Sequence, residues 1–157
     1  MTGTTEKLTP LPHTAQNRCF GCGAANSAGL HLEFYLAEDG SVVSLPTVPD
    51  NFEGPIGFLH GGIIATLLDE AMSKAVRARG LTAMTRQMEI DYQRPVPSGE
   101  PIRIEGRVVL NEGRKHWTEA RILNARAITL ASSKGLFVEV RVHKLTTRRP
   151  EDRPETS

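Results

Sequence analysis

The sequence has no apolar run near the ~18 consecutive residues of a membrane-spanning helix, so no membrane partner is expected. Neither charge is in excess: 19 Lys plus Arg stand against 18 Asp plus Glu, with no block of one sign. A broad basic field for nucleic acid is therefore missing, and no nucleic-acid partner is expected. The stretch MTGTTEKLTPLPHTAQNR lacks the apolar centre of a secretory signal, and the expected location is cytoplasmic. Cysteine is scarce, with two residues, Cys19 and Cys22, both in RCFGCG. One C-x-x-C is half of a zinc site, and a second pair is absent. His13 and His31 could complete four ligands, but their spacing fits no common finger. A redox pair usually sits at a strand-to-helix junction, whereas extended-looking sequence follows here. A structural or incidental role is favoured over both. Neighbouring free thiols suit a reducing compartment.

What is present suits one domain. A chain of 157 residues is long enough to bury a substantial core. Residues 1–17 and 144–157 are polar, carry prolines and lack periodicity, and read as loose tails around a domain over 18–143. LHLEFYLA predicts a strand over 30–37, EDG a turn, and SVVSLPTV its partner. PDNFEGPIGF is too rich in glycine and proline for regular structure and reads as a loop leading to His60.

The next segment, GFLHGGIIATLLDEAMSKAV, predicts a helix over 61–79 with Gly80 as its stop. At ~100° per residue, Ile63, Ile64, Leu67, Leu68, Ala71, Met72, Ala75 and Val76 form one broad apolar face. A second stripe, Gly62, Ala65, Thr66, Asp69 and Ser73, is built of small side chains that let another backbone approach. Glu70, Lys74 and Arg77 gather on the charged side. Two glycines in the first turn are unfavourable, at roughly 1 kcal/mol each against Ala, so their presence asks for a reason.

Beyond Gly80 the period becomes two. Met84, Met88, Ile90 and Tyr92 alternate with Thr85, Gln87, Glu89 and Asp91, which puts Thr85 on the face opposite Met88 and Ile90. PVPSGE, NEGRK and NAR then separate three further strands, and such short turns imply antiparallel pairing. The order is two strands, one long helix, four strands. An antiparallel sheet must wrap so apolar a helix to bury it.

This order and three of its segments resemble the hotdog fold and, within it, the PaaI-like acyl-CoA thioesterases. The segments are CFGCGAANSAGLHLEF, GFLHGGIIATLLDEAM and AMTRQMEIDYQRPVPSGEPIRIEG, and the likeness covers roughly residues 18–143. It implies an α+β fold in which a sheet of about five to six antiparallel strands wraps one central helix. It implies an acyl-CoA substrate and no metal or organic cofactor. At matching positions, Gly61 would offer its N–H to the thioester oxygen and Asp69 would be the general base or nucleophile. Thr85 would help position the water or the carboxylate, and His60 would shape the loop or hold the thioester. Gly62, Gly54, Phe58, Met72 and Met84 complete the expected substrate-binding set. Many relatives carry Asn or Gln where this chain has Gly54, which shifts carbonyl polarisation onto Gly61.

The chemistry suits these residue types. Thioester hydrolysis places negative charge on the carbonyl oxygen. The first N–H groups of a helix lack intrahelical partners and lie at its positive end. Glycine there lets substrate approach without a Cβ in the way, and one such donor can be worth ~3 kcal/mol in the transition state. Gly61 and Asp69 lie eight residues apart on one helix, about 12 Å along its axis. A base or nucleophile acts within hydrogen-bond reach, so the two groups of one chain do not serve one carbonyl. The expectation is a homodimer, possibly paired further into a dimer of dimers, whose sites join Gly61 of one subunit to Asp69 and Thr85 of the other.

Simpler readings stand beside this one. The glycines could only permit a tight turn, and Asp69 and Glu70 could be solvated helix carboxylates. A basic pair such as Arg114 and Lys115 in a turn is usually solvated. Two other functions remain open: a hotdog hydratase or dehydratase using His with Asp or Glu, and a non-catalytic acyl-CoA binding module.

Overall fold

The computed structural model describes residues 5–141. Among them, strands β1 (Leu8–Pro10), β2 (Tyr35–Ala37) and β3 (Val42–Ser44) precede helix α1 (Gly61–Arg77). Strands β4 (Ala83–Tyr92), β5 (Arg103–Glu112), β6 (Lys115–Leu123) and β7 (Thr129–Glu139) follow. They form one seven-stranded sheet in the order β1-β2-β3-β5-β6-β7-β4, antiparallel throughout. The sheet wraps α1, which is the hotdog architecture. No helix among the described residues is long and apolar enough to cross a membrane.

The helix is buried as its periodicity requires. Ile64, Leu67, Leu68, Ala71, Met72, Ala75 and Val76 are all buried, and Ile63 is packed at their margin. Glycines on the inner sheet face let the helix sit this close. A Cβ at Gly106 of β5 would lie 2.4 Å from the Ala71 carbonyl oxygen, and one at Gly135 of β7 would lie 2.9 Å from the Met72 sulfur. Helix backbone thus rests directly on β5, and Met72 fills the space above β7. The close approach uses Ala71 on the apolar face, while the small-residue stripe through Gly62, Ala65 and Asp69 stays at least partly open to solvent.

Three expectations change. The strand foreseen over 30–37 is regular only at Tyr35–Ala37. Upstream, His31 adopts a left-handed φ of 51°, and the N–H groups of Leu30 and Leu32 bond to the carbonyls of Phe20 and Gly21 at 2.8 and 2.9 Å. Leu32 and Phe34 still alternate inward, so the pattern was real but the hydrogen-bond partner is the C-x-x-C loop. The second change is β1, which lies inside the stretch read as an N-terminal tail. It pairs with β2, and Glu6 beside it meets Arg103 through two hydrogen bonds of 2.7 Å. That strand raises the sheet to seven, above the five to six expected. The third is the helix end: α1 stops at Arg77, and residues 78–80 form a turn closed by Gly80 at φ 79°. The tail foreseen over 144–157 lies outside the described residues.

Candidate active site

The start of α1 explains its two glycines separately. His60 is the N-cap, extended at φ −60° and ψ 140°. Its Nδ1 accepts a hydrogen bond from the Gly62 N–H at 2.9 Å. A ring nitrogen that accepts carries no proton, so the proton of neutral His60 is on Nε2, which is left to donate elsewhere. A Cβ at Gly62 would come within 3.1 Å of that Nδ1. Gly62 therefore leaves room for the His60 cap. The His60 carbonyl accepts from the N–H groups of Ile63 and Ile64 at 2.9 and 3.0 Å. Of the first-turn N–H groups, that of Gly61 alone has no protein partner among the described residues.

That free donor borders a groove. A cavity of about 370 Å³ lies against Gly61, lined also by Pro55, Phe58, Ile64, Tyr92 and Arg94. Tyr92, at the end of β4, donates its hydroxyl proton to the Gly61 carbonyl at 2.9 Å. The loop before His60 is pinned by the Leu59 N–H on the Val96 carbonyl at 2.8 Å and by a bridge from Phe58 to Pro97. Glu53 ties it further, accepting from the Gly57 N–H at 2.7 Å and the Ser98 hydroxyl at 3.1 Å. A Cβ at Gly54 would lie 3.2 Å from the His60 Cα. The loop backbone at Gly54 thus sits directly against His60.

Two turns along the helix, Asp69 is half-buried, and its Oδ1 accepts from the Thr85 hydroxyl at 2.6 Å. Period-two counting had put Thr85 on the face opposite Met88 and Ile90. The β4–β7 register slips between Thr85 and Gln87, so Arg86 is an extra residue in the strand. Thr85 then pairs with buried Phe137, and Met88 with Gly135 above Met72, so the two side chains share the helix-facing side. The same bulge leaves Met84 on the other face, 53% exposed, away from the groove. Met72 is fully buried between helix and sheet and does not line the groove either. Phe58 does line it, at 42% exposure. Within one chain the structure joins Asp69 to Thr85, and Gly61 to His60, Gly62, Gly54 and Phe58. It keeps the two groups about 12 Å apart along the helix axis.

The wider family is visible in comparison with known proteins. A model of the thioesterase superfamily matches residues 56–131. A crystallographically solved protein of that superfamily is 30% identical with a TM-score of 0.64, the match covering 71% of this chain and 86% of that one. This chain belongs to the thioesterase superfamily. Another solved thioesterase-superfamily protein is 33% identical with a TM-score of 0.74, over 78% of this chain and 60% of that one. The acyl-coenzyme A thioesterase THEM4 of Bos taurus is 32% identical over 143 residues, 90% of this chain and 59% of that protein. The chain spans about half the length of the curated relatives it matches, between 40% and 59%.

Sequence reasoning missed two residues of this thioesterase-superfamily chain. Tyr92 was seen only as one more apolar strand position, because nothing local marks a side chain that reaches a helix start 31 residues away. Glu70 was placed with the solvated charges, yet its carboxylate lies 3.7 and 3.8 Å from the Cys19 sulfur. Burial, and next the Glu70 carboxylate, push the neighbouring Cys22 thiol up to about 11. Arg114 is engaged at the hairpin, its guanidinium donating to the Glu139 carbonyl at 2.8 and 3.2 Å.

Proposed function

We propose that this chain hydrolyses an acyl-CoA thioester to a free acid and coenzyme A, at sites shared between two copies of itself. The observation that carries the reading is Gly61 at the positive end of α1: its N–H has no protein partner among the described residues, and the residue lines the groove beside Phe58 and Tyr92. A thioester carbonyl seated there gains a donor aimed at the charge that develops on its oxygen.

Attack comes from Asp69. Its Oδ1 is held by Thr85, which leaves Oδ2 to take a proton from water or to attack the acyl carbon directly. In the first route water adds to the carbonyl and the thiolate of coenzyme A departs. In the second an acyl–Asp69 anhydride forms, coenzyme A departs, and water then opens the anhydride. Single-turnover reaction in oxygen-labelled water separates the two, since only the anhydride route can leave label in the Asp69 carboxylate.

The helix spacing asks for a second copy, and the sheet offers a place for it. Among the described residues β4 is an edge strand of ten residues, paired on one side, to β7. Long exposed edges invite pairing with another chain. Such a partner would lie beside Thr85 and the small-residue stripe that carries Asp69. The exposed apolar side chains Phe58 and Tyr92 at the groove suit an interface or an acyl group. A dimer of dimers extends the same reading. A cytoplasmic setting fits the adjacent free thiols Cys19 and Cys22.

A hydratase would instead pair His with a carboxylate as acid and base; within one chain no carboxylate bonds the His60 ring among the described residues, and release of coenzyme A separates the two readings. A panel of acyl-CoA esters with a thiol reagent tests the proposal. Release of coenzyme A that is abolished by Asp69→Ala is the expected result. Binding without turnover, or turnover that survives Asp69→Ala, contradicts it.

A further inference from the structure

The C-x-x-C loop and helix α1 bring together three side chains that the thioesterase reading does not use. The sulfurs of Cys19 and Cys22 and a carboxylate oxygen of Glu70 all lie within 4.8 Å of one another. Cys22 is 7% exposed and Cys19 half-buried. Tetrahedral zinc holds sulfur at about 2.3 Å and carboxylate oxygen at about 2.0–2.2 Å, so its sulfur and oxygen ligands stand roughly 3.5 Å from each other. The Cys19 sulfur stands 3.7 and 3.8 Å from the two Glu70 oxygens. Little movement separates this arrangement from three corners of a tetrahedron.

The surroundings are built for it. The Asn17 amide donates to the Cys22 sulfur at 3.3 Å, while its carbonyl oxygen accepts from the Cys19 N–H at 3.0 Å. That is the outer-shell support a metal-bound thiolate needs. Gly23 closes the loop with its N–H on the Cys19 carbonyl at 2.8 Å. A Cβ at Gly21 would lie 2.6 Å from a Glu70 carboxylate oxygen, so a larger residue there would push the carboxylate from its place against the loop. The same three residues, Cys19, Cys22 and Glu70, line a cavity of about 800 Å³ together with His13, Thr14 and Lys74.

We propose that Cys19, Cys22 and Glu70 bind one zinc ion that fastens the N-terminal loop to helix α1. Two thiol protons leave to solvent as two zinc–sulfur bonds form, and the Glu70 carboxylate supplies the third ligand. Two thiolates and a carboxylate leave the site one negative charge in excess of the ion, which Lys74 in the same cavity offsets. Thiolate ligands select zinc over magnesium or calcium. Of the two histidines considered as further ligands, His31 has its ring bonded to the Asn26 carbonyl. The site holds the residue next to Asp69 on the same helix, so it steadies the candidate carboxylate without touching substrate.

The test uses the full chain, chelator-treated and kept reduced, with cobalt(II) as the spectroscopic probe and zinc(II) as competitor. One equivalent of cobalt should give a sulfur-to-metal charge-transfer band and the strong visible bands of tetrahedral cobalt, both removed by zinc. Zinc should raise the melting temperature of the wild type. Cys22→Ser and Glu70→Gln should weaken binding by more than the roughly 10- to 100-fold cost of losing an outer-shell partner. Gly21→Ala and Asn17→Ala keep every ligand and should still weaken it, by about that 10- to 100-fold. These two variants keep the test decisive if Cys22→Ser does not fold. The proposal is overturned if the reduced wild type gives no charge-transfer band, or if Gly21→Ala and Glu70→Gln bind cobalt as the wild type does.

Discussion

At the scale of single residues, the account rests on polar groups whose partners can be named. Gly61 and Gly62 look alike in the sequence but differ in what they permit. Gly62 makes room for the His60 ring that takes its N–H, while Gly61 keeps its own N–H free. The sequence singled out both glycines and His60 but could not divide the roles, because the division depends on the His60 rotamer. Thr85 is the clearer test. Its hydroxyl fixes Oδ1 of Asp69 at 2.6 Å, so Thr85→Ala should lower kcat about 10- to 100-fold, the cost of a misplaced reacting group. KM should change little, and Thr85→Ser should recover most of the rate. Steady-state kinetics on the three proteins check this. A Thr85→Ala enzyme with unchanged kcat would remove Thr85 from the site.

At the scale of elements, legibility followed pattern length. Helix α1 and strands β4 to β7 run 9 to 17 residues and announce themselves by period. Strand β1 has three residues, too few for any alternation to register. The face of Thr85 was misread because one inserted residue, Arg86, inverts the count, and no glycine marks the bulge. Glu70 was misread because the loop that covers it comes from 51 residues earlier in the chain. Strand β1 has its own measurable anchor. The Arg103 guanidinium holds the Glu6 carboxyl below its ordinary 4.5. A lowered folded value means the pair adds stability above about pH 4.5 and loses it as pH falls through the folded value. Glu6 is largely exposed, so the gain is less than about 1 kcal/mol. Thermal melts of Glu6→Gln should fall slightly below wild type near about pH 7, and the gap should close as pH falls below about 4.5 through the folded value. A gap that persists in acid would mean that β1 is held by something else.

At the scale of the molecule, the central claim is that one chain carries two half-sites that cannot meet. The element order was legible because the helix and its flanking strands carry strong periodic signals, while the hotdog fold itself came from the resemblance of three segments. The pairing of copies lies beyond one chain and rests on the helix length between Gly61 and Asp69 and on the open edge of β4. Two inactive variants can test it together. Gly61→Pro deletes the N–H at a first helical position that tolerates proline, and His60 already has the extended backbone that a following proline requires. Asp69→Ala deletes the proposed attacking group. Each protein alone should be inactive. Co-refolded in equal amounts, half of the dimers are mixed, and each mixed dimer holds one intact site from Gly61 of one chain and Asp69 of the other. Coenzyme A release should therefore return to about a quarter of the wild-type rate. If each chain forms its own site, every site in the mixture lacks one group, and a mixture as inactive as its two components would contradict the account.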